Sequence, residues 1–161
     1  MTHPYKKIIL FQFILCGLVG QIKLSVNAIP KRAEVQLDGK SIGKTPIKDG
    51  MITTGEHQFK INKDGYAPVT YDLIVNPSEA VHLDFFLNPI FKVKFKTDEK
   101  GLIFELNGEH RWDNDRIRLK LEAGDHLLRV FKLGNIIDEQ TILVDEPKTF
   151  RYFLKKPISE E

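Results

Sequence analysis

Val35-Gln36-Leu37-Asp38-Gly39 decides the fold. Apolar, polar and apolar residues in succession put Val35 and Leu37 on one face of an extended strand. Asp38-Gly39 then closes the strand, because Asp-Gly tolerates the positive φ that a tight hairpin turn demands. The same grammar spreads outward along the chain. Phe59-Lys60-Ile61, Leu73-Ile74-Val75 and Leu119-Lys120-Leu121 are further short runs. Thr54-Gly55, Asp64-Gly65, Asn107-Gly108, Ala123-Gly124 and Leu133-Gly134 are further turns. Phe91, Val93 and Phe95 alternate with Lys92, Lys94 and Lys96, which places the three lysines on one strand face. No stretch after residue 20 sustains helical spacing, so the chain reads as all-β.

The turns repeat at a constant offset. Gly39 and Gly108 stand 108 − 39 = 69 residues apart, as do Gly55 and Gly124, and Gly65 and Gly134. The same offset pairs Leu37 with Leu106, His57 with His126, Lys63 with Lys132 and Val75 with Val144, without a gap. Self-similarity at a fixed period marks repeated units. The expected architecture is two tandem small antiparallel β-sandwich units after an N-terminal signal segment: residues 21–88, then residues 89–157, with a tail over 158–161. Asn88-Pro89 is the stiff joint between them. Units of this size sit near the lower limit for a self-sufficient core, so the two are expected to pack on each other.

The first unit resembles a known family. Pro30-Lys31-Arg32-Ala33 leads into Glu34–Gly39, then Ile42-Gly43-Lys44-Thr45-Pro46, Gly55-Glu56-His57 and Lys63-Asp64-Gly65-Tyr66. This is similar to the PEGA domain, a small β-sandwich module of bacterial surface and envelope proteins. Its pattern is a Pro-x-Gly-Ala start, a strand ending in Asp-Gly, a Gly-x-Thr-Pro turn, then Gly-x-His and Gly-Tyr. Arg32 stands where that pattern has glycine, so the opening turn is expected to differ. The second unit resembles the family in outline only. Asn107-Gly108, Gly124-Asp125-His126 and Gly134 remain, Glu99-Lys100-Gly101-Leu102 replaces the start, and His110–Arg116 replaces the Gly-x-Thr-Pro turn. The resemblance implies an extracytoplasmic spacer or interaction module and supplies no catalytic residues.

The leader stands apart from both units. Lys6-Lys7 precede an apolar run from Ile8 to Gly20, the pattern of a secretory signal peptide. The run is short for the ~30 Å hydrocarbon core, which leaves an uncleaved anchor as the alternative. Cleavage after Gly20 is preferred, since a cut after Ala28 would enter a strand. Cys16 would accept lipid if the leader were of the lipoprotein kind, although Leu15 before it is larger than such sites usually hold. The 161 residues carry 24 Lys+Arg against 22 Asp+Glu, a net charge of +2, and a single Cys. Removing residues 1–20 takes Lys6 and Lys7 with it and leaves +2 − 2 = 0. That balance excludes a whole-chain electrostatic footprint for nucleic acid. One Cys excludes an internal disulfide, and the spacings of a structural zinc site are missing.

Catalysis has no constellation to rest on. No Gly-x-Ser-x-Gly elbow occurs, and the serines sit in loops without a nearby base. His57 and His126 follow a glycine at equivalent strand entrances and read as polar caps rather than metal ligands. His110, Arg111, Trp112 and Arg116 form the candidate binding segment, a polar loop with the only Trp, where an exposed ring beside Arg would suit a glycan or peptide. The competing reading tucks Trp112 against the joint and leaves the charges solvated. Asp113-Asn114-Asp115 lacks the glycine and distal Glu of a calcium loop. The Lys92-Lys94-Lys96 row would suit an anionic polymer; the preferred reading is the solvated side of a strand, where lysines discourage edge-to-edge association. The expected protein is non-enzymatic and needs no cofactor or metal. Its expected partner is an envelope protein or glycan, without nucleic acid, and it meets the membrane only through a retained or lipidated N-terminus.

Overall fold

The structure is a computed structural model that describes residues 20–77 and 79–154. The expected leader with Cys16, and the tail, lie outside those residues. Within them every regular element is a strand, and no helix is long and apolar enough to cross a membrane.

Seven strands build the first unit: β1 (Gln21–Ile29), β2 (Glu34–Leu37), β3 (Lys40–Lys44), β4 (Ile47–Thr53), β5 (Gly55–Asn62), β6 (Val69–Val75) and β7 (Val81–Phe86). They form a three-stranded sheet in the order β4-β1-β7 and a four-stranded sheet in the order β3-β2-β5-β6. Seven more build the second: β8 (Ile90–Thr97), β9 (Leu102–Leu106), β10 (His110–Trp112), β11 (Arg116–Glu122), β12 (Gly124–Lys132), β13 (Asn135–Val144) and β14 (Lys148–Tyr152). Their sheets run β11-β8-β14 and β10-β9-β12-β13, the same plan strand for strand.

Alternation does what it should in both. Ile22, Leu24, Val26 and Ala28 of β1 are buried, while the residues between them face outward. Leu24 and Val26 meet Val35, Phe59 and Ile61 of the opposite sheet in one core. In the other, Val93 and Phe95 meet Phe104, Leu128 and Val130, each 69 positions further on. Burying a side chain of this kind contributes about 1.5–3 kcal/mol.

Each unit also holds one parallel pair, β1 with β7 and β8 with β14, within otherwise antiparallel sheets. A period of two reads the same in either strand direction, so alternation alone could not reveal it. At the joint, the Asn88 carbonyl accepts from Ala67 N (2.8 Å), and its Nδ2 donates to the Ala123 carbonyl (2.9 Å). Ile90 N donates to Gly65 O at 2.7 Å, so the connector bonds to both sandwiches.

The opening turn corrects an expectation. Arg32 adopts φ 66°, in the left-handed region where glycine is at home, and its N–H donates to Thr45 O at 3.0 Å. The turn keeps the glycine-like backbone without the glycine.

Candidate functional site

His110–Arg116 spans the two sheets of the second unit rather than forming one loop. His110-Arg111-Trp112 is β10, an edge strand pairing with β9, and Arg116 opens β11 in the other sheet. Trp112 pairs with Phe104 and points inward, only 7% exposed. Its ring stacks on Phe104 at 5.5 Å and 16°, and lies tilted on Phe95 at 5.2 Å. Phe150 and Tyr152 complete the cluster. Burial, with Asp138 beside it, pushes the Tyr152 phenol up to about 12. The ring therefore differs from the exposed platform expected, and it sits in the second core rather than at the joint. Once β10 pairs with β9, strand geometry turns Trp112 to the inner face.

The flanking charges go elsewhere. Arg111 faces outward, with its guanidinium 4.8 Å over the Phe131 ring and 3.9 Å from Glu105. Arg129 lies 3.7 Å from Glu105 and 2.7 Å from Glu139, so alternating charges cross all four strands of this sheet. His110 is exposed at the strand end. Arg116 pairs across from Lys96 on the other sheet. The structure does not bring the four candidate residues together around one point.

His57 and His126 are internal staples. His57 Nδ1 lies 2.7 Å from Asp38 Oδ2, and the other Asp38 oxygen accepts from Gln58 N at 2.8 Å. In the second unit His126 Nδ1 lies 2.8 Å from Asn107 Nδ2, and Asn107 Oδ1 accepts from Leu127 N at 2.9 Å. The remaining ring nitrogens face the carbonyls of Thr53 (3.0 Å) and Glu122 (2.8 Å). Both nitrogens of each ring are thus engaged in tying a turn to the next strand. Among the described residues no cluster of His, Cys, Asp or Glu is arranged to hold a metal.

One arrangement was missed in the sequence. Lys92, Lys94 and Lys96 lie on β8, which is the middle strand of its sheet, so they protect no edge. Antiparallel pairing sets Lys120, Arg118 and Arg116 of β11 directly opposite them. On the far side Thr149 and Arg151 of β14 face Lys94 and Lys96. The signal was present: Arg116, Arg118 and Lys120 alternate with Ile117 and Leu119 just as the lysines alternate with Val93 and Phe95.

The family model for the PEGA domain matches residues 21–90. No curated protein matches the chain. Among solved structures, one described as the Bacillus anthracis TIE protein shares 13% identity at a TM-score of 0.34, over 84% of this chain and 34% of that one. Another, described as the structure of the Streptococcal ancillary pilin, shares 14% identity at a TM-score of 0.35, over 84% of this chain and 62% of that one. The chain therefore spans less than two thirds of the length of either.

Proposed function

We propose, from the match of the PEGA family model to residues 21–90, that this protein is an exported, non-enzymatic module with a structural or interaction role in the bacterial cell envelope. The observation that carries the reading is the architecture itself. Two sandwiches of one plan follow each other, and the histidines at their equivalent turns, His57 and His126, are spent on holding turn and strand together. Rigid sheets of this kind hold surfaces toward a partner. The partner is an envelope protein or glycan, and the membrane is reached only through the leader.

The rival reading, glycan binding on the Trp112 ring, needs an aromatic face that this buried side chain does not present. Cleavage after Ala28 is likewise disfavoured, since it would remove most of β1, the central strand of its sheet. The test is intact-mass analysis of the full chain expressed in a bacterial host and separated into cytoplasmic and envelope fractions. A mature chain beginning at Gln21, or a lipidated one beginning at Cys16, in the exported fraction is the expected result. Full-length protein confined to the cytoplasm would overturn the proposal.

A further inference from the structure

We propose that the outer face of the β11-β8-β14 sheet is a docking surface for a linear phosphate polyanion laid along β8. Six cations face one another there in three cross-strand pairs, Lys92 with Lys120, Lys94 with Arg118, and Lys96 with Arg116. Arg151 extends the last row onto β14. Side chains two residues apart on a strand are about 6.7 Å apart and neighbouring strands about 4.8 Å, so the pairs form a track about 13 Å long. Beside it runs a groove lined by Lys92, Lys94, Arg118, Lys148 and Thr149.

Like charges directly opposite one another destabilise a sheet. Among the described residues none of the six paired cations has an ion-pair partner, and Arg151 only approaches Asp98 at 3.9 Å. Lys96 beside it, then desolvation and the guanidiniums of Arg118 and Arg116, hold the Lys94 ammonium below its ordinary value. The sandwich does not require this crowding. On the matching strand of the first unit the positions of Lys92, Lys94 and Lys96 are Lys23, Ser25 and Asn27. There Ser25 bonds to His82 at 2.6 Å and Asn27 donates to Asp84 at 3.0 Å. The chain is near neutral without its leader, so this row of cations is a local feature and not the consequence of a basic chain.

The surroundings choose the occupant. None of the exposed large hydrophobic residues lies in the three rows, which leaves nothing to enter a lipid surface. Within β8, β11 and β14 no aromatic side chain stands out from the face to stack on a base, as single-stranded nucleic acid recognition would use; the exposed Phe153 lies past the end of β14. A polymer whose charge lies along its backbone is what remains.

The test is fluorescence anisotropy of labelled long-chain inorganic polyphosphate titrated with the full chain. Binding should weaken roughly 100-fold between 50 and 200 mM salt, as release of counterions by several contacts demands. Lys94→Glu with Arg118→Glu should weaken binding at least about tenfold, while Lys23→Glu with Lys60→Glu, an equal charge change on the first unit, should not. Lys94→Gln with Arg118→Gln, which relieves repulsion without reversing it, repeats the comparison should the first pair fold poorly. Absence of binding at low salt overturns the proposal. So does an equal loss in both double variants, or tighter binding of phosphatidylglycerol vesicles or of single-stranded DNA at matched charge.

Discussion

At one place in the two sandwiches, opposite Val35 in the first and Phe104 in the second, the chain puts Gly43 and Trp112. Around Gly43 the first unit closes with polar bonds. Thr45 is 2% exposed, its Oγ1 accepts from Ala33 N at 3.1 Å, and its own N–H donates to Ala33 O at 2.8 Å. Among the described residues the second unit has no such lock between Leu102 and Asn114, the positions that match Ala33 and Thr45. It fills the corresponding space with indole, stacked on Phe104 and tilted against Phe95, while Tyr152 meets Phe104 edge-on. Its neighbouring core position is correspondingly larger, Leu102 where the first unit has Ala33. One backbone plan is thus sealed in two ways, by hydrogen bonds to a tight turn and by bulk.

The widest break in that comparison is Trp112→Ala. Removing a buried ring of this size costs about 3–5 kcal/mol, the transfer free energy of the side chain plus the cavity it leaves. For a unit this small each kcal/mol is worth about 4–8 °C, so the second unit should lose more than 10 °C while the first melts nearly unchanged. Calorimetry of the full chain resolves this. A drop of only a degree or two would mean that the ring is not what closes the second core.

A smaller break lies at the opening turns. Arg32 and Gly101 occupy equivalent positions, with φ 66° and 70°. A side chain in the left-handed region costs about 1–2 kcal/mol, and a Cβ at Gly101 would meet nothing within 4 Å, so the cost there is conformational alone. Arg32→Gly should therefore stabilise the first unit by about 1 kcal/mol, and Gly101→Ala should destabilise the second by a similar amount. Urea midpoints of the two variants check both signs. Arg32→Gly leaving the first transition unmoved, or lowering it, would show that Arg32 contributes contacts that offset its strain.

These positions also mark where sequence reading stopped. The repeat, the all-β class and the core positions were legible because alternation and Gly turns are local signals. Val35, Phe59 and Ile61 needed no knowledge of their neighbours to be placed on one strand face. Trp112 did, because only pairing of β10 with β9 turns three polar-looking residues into a strand with an inner face. The cation pairs likewise depend on the register between β8 and β11, which no short motif encodes. Arg32 was misread for another reason: residue type reports preference for a φ, and the surrounding bonds to Thr45 impose one against it.

The finest difference is a single carboxylate. Asp38 and Asn107 hold the two histidine staples in the same geometry, but Asn107 Nδ2 donates to His126 Nδ1, whereas the Asp38 carboxylate can only accept from His57 Nδ1. The Asp38 carboxylate therefore takes the Nδ1 proton of His57, while Nε2 lies between the Thr53 carbonyl at 3.0 Å and the Thr53 hydroxyl at 3.2 Å. In His126 the facing bonds place the ring proton on Nε2, which donates to Glu122 O. The Gln58 N–H, and then His57, hold the Asp38 carboxyl below its ordinary value. A depressed carboxylate contributes stability above its unfolded value and loses it as pH falls through its folded one, so this increment should fade below about pH 4. Asp38→Asn should flatten that acid loss in the first unit, and Asn107→Asp should introduce one in the second. The effect is the smallest of the three because the Asp38 side chain is 49% exposed and water screens it. Urea midpoints at pH 3 and pH 6 measure it. Parallel acid slopes in wild type and Asp38→Asn would mean that the staple holds equally well with its carboxyl protonated, and that the carboxylate adds nothing to what Asn107 provides in the second unit.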